Sequence, residues 1–407
     1  MHAMTKSLPV DGTHAAARSA QASTITVART PEDVERLRDI WNALRPTDID
    51  SDIDYFLTVV RHADQVIRPH VVHIRHEGLD LMAVARLETL RVTFRLGYHA
   101  FAGIGLRALV VSFAGILGAR GPSDEELVLR HLCQSLRSGE ADLLLMRNID
   151  INSTLYMAAM AAMPWPNRAH ALPSTRRWVA RLPSTLHEFL ADRSAKTRST
   201  LRRQHRQLRE RFGDRLRLRR FEHREEMDEL CNDMEIVASK AYQRGLGVGF
   251  SGRPLELGLI DLCLKRGWHR TWMLYLDDWP IAFWTGTAYA GTFAIGTPGF
   301  DPDHSHASVG RYTMFRMIED LCAEPSLSAL DYGQGEADYK SAYGHCRRLE
   351  SDVFLAASRP KAMLVLAVFS LLSAVNSQSR RLAERYAWAR RLKASWRRST
   401  ARSQDAA

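Results

Sequence analysis

Residues 331–340 read Asp331-Tyr332-Gly333-Gln334-Gly335-Glu336-Ala337-Asp338-Tyr339-Lys340. The apolar run from Leu327 to Tyr332 predicts a short buried strand, and Gly333 and Gly335 end it. A short helix is expected over Glu336 to Tyr343. The end of a buried strand in an open α/β sheet is where ligands gather, and these ten residues bring three carboxylates, two phenols and one ammonium to that point. Moving an acyl group from a thioester to an amine needs a base, a positive contact for the oxyanion and an acid for the departing thiolate. Glu336 or Asp338 can be the base, Tyr339 the acid and Lys340 the positive charge, with Asp331 and Tyr332 read as substrate contacts. The plainer alternative is a glycine-rich turn in which Asp338 caps a helix.

Working upstream, Phe293 to Phe300 predicts a strand, Asp301 to Ser308 a loop, and the residues through Cys322 a helix. Ser308-Val309-Gly310-Arg311 opens that helix. Ser308 is expected to cap it and Gly310 to let a ligand approach the backbone. The free amides of the first turn favour phosphate, and Arg311 adds a fixed charge. Thr297, on the strand before the loop, is expected to share in donor binding. An ordinary capped helix start is the rival explanation.

The pattern farther out predicts one α/β class, an α+β mixed sheet with helices on its faces. Residues 1–24 suit a disordered leader and 25–180 a first unit. That unit has a helix over Pro31–Leu44, a hairpin Val71–Arg75 and Leu81–Leu87, a helix over Glu125–Leu136 and a strand over Asp142–Met146. Pro164-Trp165-Pro166 and Pro173 mark a boundary. The second unit, 181–356, begins with a long basic helix over Ser184–Phe212 and helices over Glu225–Arg244 and Leu255–Arg266. The strands Trp272–Leu276, Ile281–Tyr289 and Phe293–Phe300 follow, and Leu349–Leu355 is the last strand. Residues 357–407 hold an apolar helix and a basic tail.

The chain has 407 residues and a net charge of +10. Between Arg193 and Arg220 stand twelve Arg and Lys against Glu210 and Asp214, and between Arg380 and Arg402 nine against Glu384, so the remainder is net acidic. Two local basic elements argue for anion recognition, not for a general nucleic-acid coat. Arg198, Arg202 and Arg206 fall on one helical stripe, and Arg198 and Arg202 are read as substrate contacts. No aromatic residues interleave that stripe, so sequence-specific nucleic-acid reading is not expected. The five cysteines form no C-x-x-C pair, which fits a reducing compartment. His304 and His306 lack further ligands in the pattern, and no metal is expected.

These motifs resemble the GNAT acyltransferases. Asp277-Asp278-Trp279-Pro280-Ile281-Ala282 looks like the D-G-x-P-I-A hairpin of that superfamily, and Ser308-Val309-Gly310 with Met317-Ile318 like its pyrophosphate-binding junction. Asp331-x-Gly333-x-Gly335 with Tyr339-Lys340 resembles the cellulose-biosynthesis group, which is related to the Fem-type peptidyltransferases. The resemblance implies tandem GNAT-like lobes, the N-terminal one degenerate. It implies acetyl-CoA or another acyl-CoA as donor, no metal, and a small-molecule or envelope-precursor acceptor, as in polysaccharide or cell-envelope biosynthesis. The Gln/Arg-x-x-Gly-x-Gly/Ala phosphate loop of ordinary GNAT enzymes is absent. A Fem-like transferase that takes aminoacyl-tRNA is therefore the second expectation, and a non-catalytic accessory protein of exopolysaccharide synthesis the third. The expected location is cytoplasmic. Ala362 to Val375, 14 uncharged residues followed by a basic aromatic tail, suggests peripheral contact with the inner membrane through 360–402.

Overall fold

The computed structural model describes residues 23–97, 99–241 and 249–385. Twelve strands form one mixed sheet. Six belong to the first half: β1 (Thr24–Ala28), β2 (Val66–His76), β3 (Leu79–Leu96), β4 (His99–Leu117), β5 (Leu143–Asp150) and β6 (Thr175–Arg181). The second half holds β7 (Leu216–Phe221), β8 (His269–Leu276), β9 (Trp279–Tyr289), β10 (Thr292–Phe300), β11 (Ala329–Gln334) and β12 (His345–Ala356).

The spatial order is β1-β2-β3-β4-β5-β12-β6-β11-β10-β9-β8-β7. Read inward from either edge, the halves are the same: four strands in sequence, a fifth, and then the last strand of the other half. That order reveals an internal repeat which the residues alone do not show. Each half has one parallel pair, β4 with β5 and β10 with β11. A parallel pair needs a crossover, supplied by α4 (Pro122–Arg137) in the first half and α10 (Val309–Cys322) in the second.

The other helices are α1 (Pro31–Glu35), α2 (Arg38–Ala43), α3 (Ile53–His62), α5 (Thr154–Ala161), α6 (Leu186–Ala191), α7 (Ala195–Phe212), α8 (Met227–Lys240), α9 (Pro254–Lys265), α11 (Asp338–Tyr343) and α12 (Pro360–Arg385). Two expected helices are broken. Pro31–Leu44 divides after Glu35, and Ser184–Phe212 divides at Asp192-Arg193-Ser194, where Ser194 caps α7 by accepting from Thr197 N at 3.2 Å. The expected helix over Glu225–Arg244 is observed as α8, and its last residues lie outside the described ones. So do residues 1–22 of the expected leader and the tail from Tyr386.

Strand alternation sorts the core. Leu109, Val111, Leu144 and Met146 pack with α4, while Ala108, Val110, Leu143 and Leu145 pack on the other face with Ala362, Val365 and Leu366 of α12. In the second half, Trp272, Trp284 and Phe293 meet Met314, Met317 and Ile318 of α10. Met273, Tyr275 and Phe283 meet α8 and α9 on the reverse face. Between β8 and β9, Asp277 and Asp278 both adopt left-handed backbone (φ +51° and +62°), the conformation a two-residue hairpin turn requires.

The halves are joined by charge as well as by strand exchange. Arg177 on β6 lies 2.6 Å from Asp331 on β11 and 3.7 Å from Glu350 on β12. Its guanidinium sits 4.5 Å from the ring centroid of Phe113 on β4. Glu350 is fully buried and accepts from Gln334 Nε2 at 2.6 Å and Arg348 Nε at 2.7 Å. Buried charges persist only when paired in this way.

Candidate active site

β10 and β11 pair over only three residues, Thr292 with Ala329, Phe293 with Leu330 and Ala294 with Asp331. β10 then continues to Phe300 beside β9, and β11 to Gln334 beside β6. The two strands therefore splay. β10 is also bulged: Ile295 faces Gly286 and Pro298 faces Trp284, so Gly296 and Thr297 together oppose Thr285. A bulge of this kind takes a residue out of the ladder and increases the local twist.

The splay opens a cleft of about 440 Å³ lined by Trp284, Pro298, Phe300, the Ser308–Arg311 helix start, Met314 and Ala337–Tyr339. At its upper end the α10 amides of Val309 and Gly310 precede the first intrahelical bond, because Arg311 N and Tyr312 N already donate to Ser308 O. Ser308 does not cap α10 as expected. It takes left-handed backbone (φ +57°, ψ +34°) between the turn Pro302–Ala307 and the helix, and its side chain makes no capping bond. A methyl group on Gly310 would meet Phe300 only at an ordinary 3.5 Å. Packing within the protein thus does not require glycine there, and its absent side chain leaves the helix start open to a ligand. Arg311 reaches back to Gln204 Oε1 at 3.2 Å, which sets the basic helix α7 beside the cleft.

Trp284 organises the middle. Its Nε1 donates to Gly310 O at 2.7 Å. Its ring meets Tyr339 edge-on, with centroids 5.5 Å apart at 81°. One side chain therefore links the helix start to the proposed acid. Sequence inspection missed it, since a tryptophan within a buried strand looks like ordinary core.

The other expected residues separate. Asp338 and Tyr339 line the cleft. Glu336 is exposed and pairs with Arg176 at 3.1 Å, away from the cleft lining. Lys340 bonds its own turn through Gln334 O, and burial pulls its ammonium below the usual lysine range. Asp331 is committed to Arg177 and to the Gly333 amide at 2.7 Å. Tyr332 is buried in the second core, which raises its phenol above the usual range, and its hydroxyl points to Tyr343 O at 3.4 Å. Arg198 bonds the carbonyls of Ala191 and Arg193, closing the break between α6 and α7. The Arg202 side chain lies outside the described ones.

Thr297 falls on the opposite face of the sheet from the α10 helix start. It lines a larger cavity of about 640 Å³ with Thr285, Thr287, Gly296 and His269, closed by Tyr55 and His62 of α3 and by α9. Neighbouring strand residues face opposite sides, so Trp284 and Pro298 line one cavity and Thr285 and Thr297 the other, with the bulge between them. His269 is buried there against Thr271 and Thr285, and burial pushes its imidazole down to about 4. A third cavity of about 260 Å³ at the seam of the halves shares Thr287 and Ala294 with the second and is lined by Asp48, Asp331, Arg177 and Tyr289. Burial, reinforced by the neighbouring Asp50, pushes Asp48 up to about 6.

The first half carries a closed version of the same device. β4 and β5 pair through Val111 and Met146 and then part around a cavity of about 220 Å³. The α4 start differs: Pro122 lacks an amide hydrogen, and Asp124 turns back to accept from Arg120 N at 2.9 Å. Asp124 and Glu125 place negative charge where a phosphate would sit.

Residues 195–341, from α7 into α11, match the family model of the acetyltransferase (GNAT) domain. Among solved structures, FemX is similar over 82% of this chain and 98% of its own, with a TM-score of 0.55 at 9% identity. The C-terminal domain of a putative lysylphosphatidylglycerol synthetase from Agrobacterium fabrum covers 84% of this chain and 96% of its own at 16% identity, with a TM-score of 0.49. A tandem GNAT protein from the clavulanic acid biosynthesis pathway covers 83% and 99% at 13% identity, with a TM-score of 0.48. No curated protein matches the sequence. The similarity to FemX concerns fold alone. The family match over the second half and the repeated strand order together give a mixed α/β, tandem GNAT-like fold, whose second half holds the open cleft.

Proposed function

We propose that the second half transfers an acyl group from an acyl-CoA, acetyl-CoA first among them, to the amine or hydroxyl of a small-molecule or envelope-precursor acceptor. The observation that carries this reading is the splay of β10 from β11, with an uncapped helix start at one end of the cleft and Tyr339 at the other. A phosphate suits the Val309 and Gly310 amides and the positive end of α10. Phe300, Met314 and Trp284 offer an apolar wall for the arm that leads from phosphate to thioester. The acceptor would approach from the opposite face, across the bulge at Gly296–Thr297.

In the step itself the acceptor nitrogen or oxygen attacks the thioester carbonyl, the C–S bond breaks and the thiolate leaves. Tyr339 is assigned as the proton donor to that thiolate, and Asp338 as the carboxylate at the cleft that relays the acceptor's proton to solvent. Lys340 and Glu336, held elsewhere, position the turn that presents Tyr339. The resemblance to the cellulose-biosynthesis group points the acceptor toward a polysaccharide or cell-envelope precursor met on the cytoplasmic side.

Calorimetric titration of the full chain with CoA, acetyl-CoA and longer acyl-CoAs tests the reading, paired with Gly310→Asp. A carboxylate at that position suits the helix start electrostatically while repelling phosphate, so the variant is expected to keep its melting temperature and lose CoA affinity about tenfold or more. Absence of binding by the native protein, or unchanged binding by the variant, overturns it. Exposed Arg203, Arg206 and Arg209 on α7 favour a second reading, in which the donor is aminoacyl-tRNA. Binding of charged tRNA that falls steeply with salt, without any CoA binding, selects that donor.

A further inference from the structure

Six of the ten exposed large apolar side chains among the described residues gather around α12: Leu364, Leu371, Val375, Leu96, Phe101 and Trp165. Leu364, Leu371 and Val375 lie at i, i+7 and i+11, on one helical face, and Leu364 and Leu371 are about two-thirds exposed (66% and 65%). The opposite face is fixed to the sheet. Ala362, Val365 and Leu366 are buried against β3, β4 and β5, and Phe369 packs on Phe354 at 5.3 Å.

The remaining three side chains are brought alongside by specific contacts. Asn376 accepts from Gly97 N at 2.8 Å and donates to Arg95 O at 2.9 Å, which ties the far end of the helix to the β3–β4 hairpin tip carrying Leu96 and Phe101. Ser370 Oγ accepts from His170 N at 3.0 Å, and Trp165 stacks on His170 at 4.3 Å. The surroundings are basic. From Thr89 to Leu117 there is no acidic residue, and Arg95 stands at the hairpin tip, while Arg91 and Arg107 alternate onto the reverse face. From Pro360 the first acidic residue is Glu384, preceded by Lys361, Arg380 and Arg381.

We propose that this face, the outer stripe of α12 with the β3–β4 hairpin tip and Trp165, docks the protein on an anionic lipid bilayer. An apolar stripe bordered by Arg and Lys and by aromatic side chains is the composition of an interfacial helix. The helix Pro360–Ser379 is long and apolar enough to span a bilayer, but spanning would strip its buried face from the sheet and break the Asn376 and Ser370 contacts. Lying on the surface keeps all of them. This inference stands independently of the transferase reading.

Co-sedimentation of the full chain with vesicles of phosphatidylcholine, and of phosphatidylcholine containing phosphatidylglycerol, tests it. Binding is expected on the phosphatidylglycerol vesicles, weakened by high salt and weak or absent on phosphatidylcholine alone. The double variant Leu364→Glu/Leu371→Glu, and separately Phe101→Glu, alter only exposed positions. Each is expected to retain the native melting temperature and lose vesicle affinity, the double variant about tenfold or more. Failure to bind either vesicle, or binding unmoved by both variants, overturns the proposal. So does light scattering that shows a dimer abolished by the double variant without any vesicle binding.

Discussion

Replacing Asp48 by Asn should make the protein more stable at neutral pH, and the reason lies in where the carboxylate is held. Asp48 caps the turn Ile49–Ser51, and its Oδ1 accepts from Asp50 N at 3.1 Å. Burial raises its pKa from 3.8 to about 6, Asp50 adds to that effect, and Arg177 offsets only part of it. The folded protein thus holds this proton more tightly than the unfolded chain does. Stability is unaffected by the shift below about pH 4, falls as pH rises from about 4 to about 6, and carries the full penalty above that. About two units at 1.36 kcal/mol each give a penalty of ~3 kcal/mol. Asn keeps the oxygen that caps the turn and removes the charge, so Asp48→Asn is expected to exceed the native protein by ~2–3 kcal/mol at pH 7.5, with the gap closing toward pH 4. Thermal melts at pH 4, 5, 6 and 7.5 read this directly. Equal or lower stability of the variant at pH 7.5, or a gap that does not narrow in acid, would refute the reasoning.

Arg177→Met removes the partner of two buried carboxylates, Asp331 and Glu350, and is expected to cost ~3–5 kcal/mol in stability, seen as a lowered midpoint in urea. Tyr339→Phe should lower kcat at least about tenfold with CoA affinity unchanged; parallel loss of both would remove its assignment as proton donor. Titration with acetyl-CoA should give one site per chain, because Pro122 removes an amide and Asp124 and Glu125 place negative charge at the α4 start; two equivalent sites would show that the first half also binds donor.

The second half was the more legible in sequence. Its strands are separated by emphatic turns, such as Asp277-Asp278 and Ala290-Gly291, and its apolar runs are short and unbroken. In the first half, β4 escaped notice because His99–Leu117 is rich in Ala and Gly and, after Arg107, runs on as an unbroken apolar stretch from Ala108 to Val111 without alternation. The break between α6 and α7 was written in Ser194, a capping residue, but the basic run on either side obscured it. The end of β11 was legible from Gly333 and Gly335. The partners of each side chain were not. Asp331, Glu336 and Lys340 all lie in a segment that suits catalysis, yet Asp331 and Glu336 are claimed by arginines that only the folded sheet brings near, and Lys340 by the carbonyl of its own turn. Ser308 was misread for a different reason: nothing local distinguishes a serine that caps a helix from one held in left-handed backbone between two helical turns.

The strand exchange gives the first half a part in shaping the cleft of the second. β11 must leave β10 after Asp331 for the cleft to exist, and where it does so it is held only along its other edge. β6, from the first half, pairs that edge from Ala329 to Gln334. Its Arg177 pairs with Asp331 at the residue where β10 and β11 part. β12, inserted beside β5, returns the exchange and brings Glu350 to the same guanidinium. The opening between β10 and β11 is therefore held by groups from both halves. An isolated second half would lack β6 and leave Asp331 and Glu350 without Arg177. It would also present the free edge of β11 to solvent or to another chain. The first half, whose α4 start carries Asp124 and Glu125, thus remains necessary to the geometry of the half that holds the cleft.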